Sequence, residues 1–390
     1  MARTRTVVVA GAGIGGLAAA IGLARARFRA LVLERADALE DIGAGIQLSH
    51  NATRALSHIG VLDRLRPRAV EARALVVGDG GSGRELARLS LAGMAERYGT
   101  PYLLALRGDL QRALLSVVDD LADVEIERGV TVTDAATHTR AITVSCQRAG
   151  RASEEIGQAL IGADGLWSRV RERLHGAEEP RFAGLVARRA VILASALPAA
   201  YALPDVRLWL GAHGHVVHYP VAGGDRINVV AISAGDWQGQ GWNAESDTPF
   251  PGRWTEPVAR LLAAANEYRG WALADRPPLP RWGAERTTLL GDAAHPMLPF
   301  LAQGAAAALE DAVVLSRRLA DADDVPAALR AYEEERAPRT ARLQRAARRT
   351  GALYRLRGPL ALARNAAFRL FGARRLAARY DWIWRYDGRS

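Results

Sequence analysis

Thr6-Val7-Val8-Val9-Ala10-Gly11-Ala12-Gly13-Ile14-Gly15-Gly16-Leu17 is the stretch on which the fold turns. The β-branched run Thr6 to Val9 reads as a short strand, and the apolar run from Ile14 to Arg27 as a helix. Between them Gly11, Gly13 and Gly16 stand in G-x-G-x-x-G spacing. In such a turn the first glycine permits the tight bend, the second lets backbone approach a pyrophosphate, and the third lets helix and strand pack closely. The helix start adds free N–H groups and the positive end of its dipole. A second strand, Ala30 to Leu33, ends at Glu34, 21 residues after Gly13. A carboxylate there can accept hydrogen bonds from ribose hydroxyls. The reading is a βαβ unit that holds a dinucleotide, and the turn alone does not separate FAD from NAD.

Composition narrows what surrounds this unit. The chain is 49% hydrophobic and 24% charged, the proportions of a globular protein. It contains no lysine, so all 52 basic residues are arginine, and Schiff-base and P-loop lysine chemistry are excluded. A single cysteine, Cys146, excludes an internal disulfide framework and a cysteine-based zinc site, and it suits a reducing cytoplasm. No apolar run reaches the roughly 18 residues of a membrane span. No targeting segment is expected either, because cleavage there would destroy the glycine turn. The net charge of +10 is concentrated: Arg336 to Ser390 holds fifteen Arg against two Asp. A nucleic-acid or membrane patch is one reading of that tail and a solvated helix face is the other. The tail aromatics Tyr380, Trp382, Trp384 and Tyr386 cluster at its end instead of interleaving with Arg as a base-stacking platform needs. The expectation is therefore no nucleic-acid and no membrane partner.

Residues 124–146 alternate apolar and polar and read as antiparallel strands. Leu160 to Ala163 and Thr287 to Leu290 read as further short strands, and Arg207 to Leu210, Val216 to Tyr219 and Ile227 to Ile232 as strands of a β-rich middle. Gly304 to Leu319 and most of 325–380 are Ala-, Leu- and Arg-rich and read as helix. The fold class expected is α/β: a Rossmann-like nucleotide-binding domain in separated segments, with an inserted β-sheet substrate domain and C-terminal helices.

Two more motifs follow strands and precede helices. Gly162-Ala163-Asp164-Gly165 leads into a segment with Ser168, Arg169 and Arg171, and Leu289-Leu290-Gly291-Asp292-Ala293-Ala294-His295-Pro296 leads to Gln303-Gly304. Singly, each Asp could be no more than a helix cap. In this order after the glycine turn, they make the chain resemble the p-hydroxybenzoate hydroxylase-like flavoprotein monooxygenases, in the branch holding salicylate hydroxylase, 3-hydroxybenzoate 6-hydroxylase and 6-hydroxynicotinate 3-monooxygenase. Gly43-Ala44-Gly45-Ile46-Gln47 with Asn51-Ala52, Arg107 with Leu110, His215 to Pro220, and Tyr380-Asp381-Trp382 carry the likeness across nearly the whole chain.

The resemblance implies FAD as cofactor, with NADH or NADPH and O₂ as co-substrates. An aromatic ring would be hydroxylated through a flavin C4a-hydroperoxide. It assigns Gly11, Gly13 and Gly16 to the pyrophosphate, Glu34 with Arg35 to the adenosine end, Arg107 to a phosphate, and Asp292 to the ribityl chain. Asp164 would serve FAD and the nicotinamide cofactor, and Gly45, Gln47 and Gly304 would lie along the flavin. The implied FAD-binding domain comprises residues 1–71, 98–180 and 281–340, the substrate domain 72–97 and 181–280, and a C-terminal helical segment 341–390. A homodimer is the oligomer expected.

In such enzymes the protein must activate the ring, and a phenol with pKa near 10 needs a base. His215 is the candidate. On a strand His215, Val217 and Tyr219 share one face and His218 points away. His213 would share the His215 face, so the choice between them rests on the resemblance. Each of the three histidines has an ordinary structural reading as well, and a His₃ metal site lacks an acidic second shell. Pro299 matches a family proline whose carbonyl lies near the reacting centre. It stands where the 3-hydroxybenzoate 6-hydroxylase pattern has Gln, and Ala305 to Ala308 stand where many relatives carry Asn. The competing functional reading is a flavoprotein reductase or dehydrogenase that inserts no oxygen.

Overall fold

The computed structural model describes residues 5–39, 44–236, 244–245, 250–320 and 322–389; Gly43 of the likeness lies outside them. Thr6–Ala10, flanked by Arg29–Glu34 and Ala159–Gly162, is the centre of a five-stranded parallel sheet whose outer strands are Val124–Arg128 and Thr287–Leu289. Val7, Val8 and Val9 are fully buried, as a parallel strand covered on both faces must be. The glycine-turn helix, Ile14–Arg25, buries nine of its residues and packs against Gly304–Ala320. It stops two residues short of Arg27, which takes the left-handed conformation at φ 64°.

The 124–146 region corrects the expectation in part. Val130–Thr137 and Ile142–Arg148 are antiparallel, with Arg151–Gly157 as third strand. Val124–Arg128 instead joins the main sheet in parallel. Alternation reports which face is buried and carries no information about the partner strand.

An eight-stranded sheet forms the second layer. Its order is Ala244–Glu245, Arg269–Asp275, Arg181–Leu193, Arg226–Ala234, Gly214–Val221, Asp205–Leu210, Ala74–Asp79 and Glu85–Ser90. All pairings are antiparallel except Asp205–Leu210 with Ala74–Asp79. A small sheet of Gly45–Leu48, Leu103–Leu106 and Val70–Glu71 lies between the two layers, and its strand Gly45–Leu48 is tied to the larger one by the Gly45 N–H, which donates to Asn228 Oδ1 at 2.7 Å. Two long helices, Val325–Tyr354 and Gly358–Trp384, close the molecule, and the first runs unbroken through residues 340–341.

Candidate active site

The turn that opened the argument has the geometry its glycines require. Gly11 sits at φ 103°, and a Cβ there would come within 2.7 Å of the Ala163 carbonyl oxygen. A Cβ on Gly16 would overlap the Gly11 carbonyl oxygen. At Gly13 the same position meets nothing within 4 Å, because it faces a cavity. No side chain caps the Ile14–Arg25 helix, so its first N–H groups stay available to an anion. The cavity, about 440 Å³, runs from Gly13 past Arg107 and Asp292 to His215, Tyr219, Tyr354 and Trp384.

Of the residues named from sequence, Gly13, Gly45, Gln47, Arg107, His215, Tyr219, Asp292, Pro299 and Gly304 line this cavity. Arg107 heads the helix Arg107–Val118, is exposed, and makes no ion pair among the described residues. Asp292 lines the cavity, and its side chain stays accessible there although protein surrounds it. Burial raises its carboxyl pKa, with the charges of His295 and Arg107 working the other way. Gly304 starts a 17-residue helix at the cavity wall beside Asp292. An uncapped helix start, an unpaired guanidinium and an enclosed carboxylate are donors and an acceptor suited to a pyrophosphate and a polyol, so the residues present fit FAD.

The remaining sequence candidates stand off the cavity. Glu34 does not hold a carboxylate free for the ribose alone: Oε2 accepts the Ala12 N–H at 2.7 Å and Oε1 the Ala36 N–H at 2.9 Å. Arg35 is exposed. Asp164 Oδ2 accepts the N–H of Arg169 at 2.8 Å and of Val170 at 3.3 Å. It therefore does capping work for Arg169–His175, while its Oδ1 is buried with no hydrogen-bond partner among the described residues. Pro299, by contrast on the cavity wall, opens a 3₁₀ turn, and its carbonyl accepts the Ala302 N–H at 3.0 Å.

The substrate end follows strand parity. His215, Val217 and Tyr219 face the cavity, whereas His218 faces away and its Nδ1 accepts the Trp209 Nε1–H at 3.3 Å. His213 lies exposed in the turn before the strand, which removes it from contention. The His215 ring packs 5.6 Å from Phe300 and 5.3 Å from Tyr354. Burial, helped by the nearby Arg364 charge, pushes its pKa down to about 3, so the imidazole is neutral. Burial pushes the Tyr219 phenol up, against the pull of Arg189 and Gln47. Gln47 Oε1 accepts the Tyr102 hydroxyl at 2.9 Å. No group of three or more His, Cys, Asp or Glu placed to hold a metal occurs among the described residues.

Sequence reasoning missed Tyr102, Arg189, Asn228 and Tyr354. Arg189 alone left a trace: it occupies the same strand face as Leu185 and Ala187, a charge in phase with an apolar series.

A dinucleotide turn, a second strand-end aspartate on the same cavity and a histidine beside a tyrosine on a facing sheet define an FAD-dependent aromatic monooxygenase. The chain belongs to the FAD binding domain family, whose model matches residues 4–347. It is 40% identical over 358 residues to 3-amino-4-hydroxybenzoate 2-monooxygenase PtnB3 of Streptomyces platensis, covering 90% of this chain and 88% of the relative. It is 37% identical over 388 residues to 3-hydroxybenzoate 6-hydroxylase 1 of Aquipseudomonas alcaligenes, covering 97% of each. Among solved structures, Klebsiella pneumoniae HpxO complexed with FAD and uric acid superposes with a TM-score of 0.85 at 28% identity, over 96% of this chain and 95% of that one. The names of both curated relatives are those of oxygenases, which goes against the reductase reading.

Proposed function

We propose that this protein hydroxylates a phenolic or hydroxy-heteroaromatic carboxylic acid, using NADH or NADPH and O₂. The observation that carries the reading is the pair His215 and Tyr219, side by side on one strand face at the cavity wall. Both curated relatives act on hydroxybenzoates by name. Bound FAD supplies hydride acceptance and oxygen activation. Gly11, Gly13 and Gly16 shape the turn for the pyrophosphate, Arg107 neutralises a phosphate, and Asp292 and Gly304 hold the ribityl end. Gly45 and Gln47 flank the ring system. Glu34 and Arg35 lie at the adenosine end, with Glu34 acting through the Ala12 N–H, and Asp164 shapes the turn facing them.

At the substrate end the imidazole of His215, neutral in the free protein, accepts the phenolic O–H as a hydrogen bond and takes its proton as the carbon–oxygen bond forms, when the hydroxyl turns strongly acidic. The protonated Tyr219 donates a hydrogen bond to the substrate, and Pro299 sets the wall at the reacting carbon. Phe300, Tyr354 and Trp384 keep water from the reaction. No helix among the described residues is long and apolar enough to cross a membrane. A cytoplasmic homodimer without nucleic-acid or membrane partner completes the proposal, supported by the lone buried Cys146 and by tail arginines spent within the chain, such as Arg339 over Tyr386.

The test is a panel of hydroxybenzoates and hydroxypyridine carboxylates, scored by substrate-stimulated NAD(P)H oxidation and by product mass under ¹⁸O₂. One labelled oxygen per product is expected. An oxidised product without label would return the reductase or dehydrogenase reading.

A further inference from the structure

Arg189 is the one charged member of an apolar row that crosses five strands on the cavity face. It stands opposite Val230, Val230 opposite Val217, Val217 opposite Leu208, and Leu208 opposite Val77. All five side chains line the cavity. The Arg189 guanidinium lies over the Trp271 ring, 5.1 Å from its centroid, and its Nε is buried with no hydrogen-bond partner among the described residues. No carboxylate pairs with it among the described residues. The groups that act on it electrostatically are Tyr219 and Arg107, and neither brings a negative charge while the tyrosine is protonated. A desolvated guanidinium without an anion is costly and is retained where an anion arrives. Its neighbour Arg188, on the opposite face, shows the ordinary alternative: it is satisfied by Ser233 Oγ at 3.0 Å.

We infer that Arg189 receives the carboxylate of the aromatic acid, and that it thereby sets which isomers the site accepts. The inference rests on the function proposed above and names its substrate class. The ring lies over Val230 and Val217, with its carboxylate toward Arg189 and its hydroxyl toward His215. Strand spacing and rise place the Arg189 and His215 Cα atoms on the order of 12 Å apart, two strands across and two residues along. That spacing suits a ring whose hydroxyl and carboxylate sit apart, in meta or para relation, better than the ortho isomer, whose two groups are adjacent. A planar guanidinium pairs with a carboxylate through two parallel N–H···O bonds, which fixes the ring's orientation as well as its affinity.

The test uses Arg189→Met and Arg189→Lys holoenzymes. FAD content is read first, then dissociation constants from the perturbation of flavin absorbance. The ligands are 3- and 4-hydroxybenzoate, the matching hydroxybenzamides and salicylate. R189M should weaken the acids roughly 10- to 150-fold, the loss expected for a charge-assisted hydrogen-bond pair, and the amides far less. R189K should recover part of the acid affinity, and salicylate should bind the wild type more weakly than its meta and para isomers. Equal losses for acid and amide, or an unchanged acid affinity in R189M, would overturn the assignment. So would loss of FAD from both variants, which would give Arg189 to the cofactor. If none of these ligands perturbs the wild-type flavin or stimulates NAD(P)H oxidation, the aromatic-acid reading itself falls, and the assignment of Arg189 with it.

Discussion

His295 Nε2 lies 2.6 Å from Asp311 Oδ2, with both side chains buried, and the same carboxylate oxygen accepts the Gly291 N–H at 3.0 Å. Asp311 thus fastens the loop that carries Asp292. Its other oxygen accepts Arg336 Nε at 2.7 Å, and Arg336 NH2 lies 2.8 Å from Glu310. Burial alone would raise both carboxyls. For Asp311 the charges of His295 and Arg336, and for Glu310 those of Arg339 and Arg336, more than offset it and hold them below the usual range.

Arg336→Met should therefore destabilise the protein by about 3–5 kcal/mol, because it leaves buried carboxylates short of a partner. FAD affinity should fall too, since the Asp292 loop loses its anchor. Denaturant unfolding and FAD titration of the apoprotein measure the two effects. A variant as stable as wild type would show the network to be dispensable.

The glycine turn and the facing of His215 and Tyr219 were legible in the sequence because each is written within one segment. Period-2 alternation fixes which side chains share a face without knowledge of the partner strand. The pairing of Val124–Arg128 was not legible, since parallel and antiparallel edges carry the same alternation. Nor was the cluster of Asn51, Gln303, Glu310, Asp311 and Arg336, whose members meet only when helices His50–His58, Gly304–Ala320 and Val325–Tyr354 pack together. The Arg-rich tail was legible only in part for a related reason: some of its arginines are held inside the chain instead of solvated, Arg339 pairing with Glu310 and Arg342 stacking on Trp382 at 3.9 Å, contacts that composition cannot show.

Glu34→Ala should raise the FAD dissociation constant roughly 10- to 150-fold, the range for a charge-assisted hydrogen bond. The carboxylate lost is the one that fixes the Ala12 N–H inside the glycine turn. Affinity for the aromatic acid, measured on FAD-saturated variant, should change little. An unaltered FAD titration would mean that the turn holds its shape without Glu34.

FAD should be bound without a covalent link: no cysteine lines the cavity, Cys146 being buried elsewhere, and the histidine that does line it, His215, belongs to the substrate end. Acid precipitation should leave all yellow colour in the supernatant. Flavin retained in the pellet would refute this.

Acid should destabilise the fold well before carboxylates titrate. Burial lowers the pKa of both His215 and His218 to about 3, and that of His50 in the same direction. These groups bind protons in the unfolded chain below about pH 6.5 but not in the folded one, so their contribution is complete above that pH and is lost as pH falls toward 3. Each strongly shifted histidine contributes a slope of about 1.4 kcal/mol per pH unit in that window. The Tm should fall steadily from pH 7 to pH 5, with a shallower fall in His218→Gln. A flat Tm across that range would contradict burial of the neutral rings.

His215→Ala should uncouple the enzyme. Flavin reduction depends on the nicotinamide and the cofactor's placement, so NAD(P)H should still be consumed when aromatic acid is present. Transfer of oxygen to the ring needs the activated phenol, and a positioned base contributes roughly 10²- to 10⁴-fold. Reducing equivalents should therefore leave as H₂O₂. The pH dependence carries a second signature. In the free protein the imidazole is neutral throughout pH 5 to 9, and a base of pKa about 3 takes the phenol's proton only as the carbon–oxygen bond forms and the hydroxyl turns acidic, so wild-type coupling should show no acid limb near 6.5. Product per NAD(P)H, with peroxide release, measured across that range for wild type and H215A, decides the matter. Unchanged coupling in the variant would make His215 a packing residue and pass the base's role to Tyr219, whose buried phenol would then have to ionise. A wild-type acid limb near 6.5 that vanishes in H215A would keep His215 as the base but show that bound substrate raises its pKa far above the value burial alone sets.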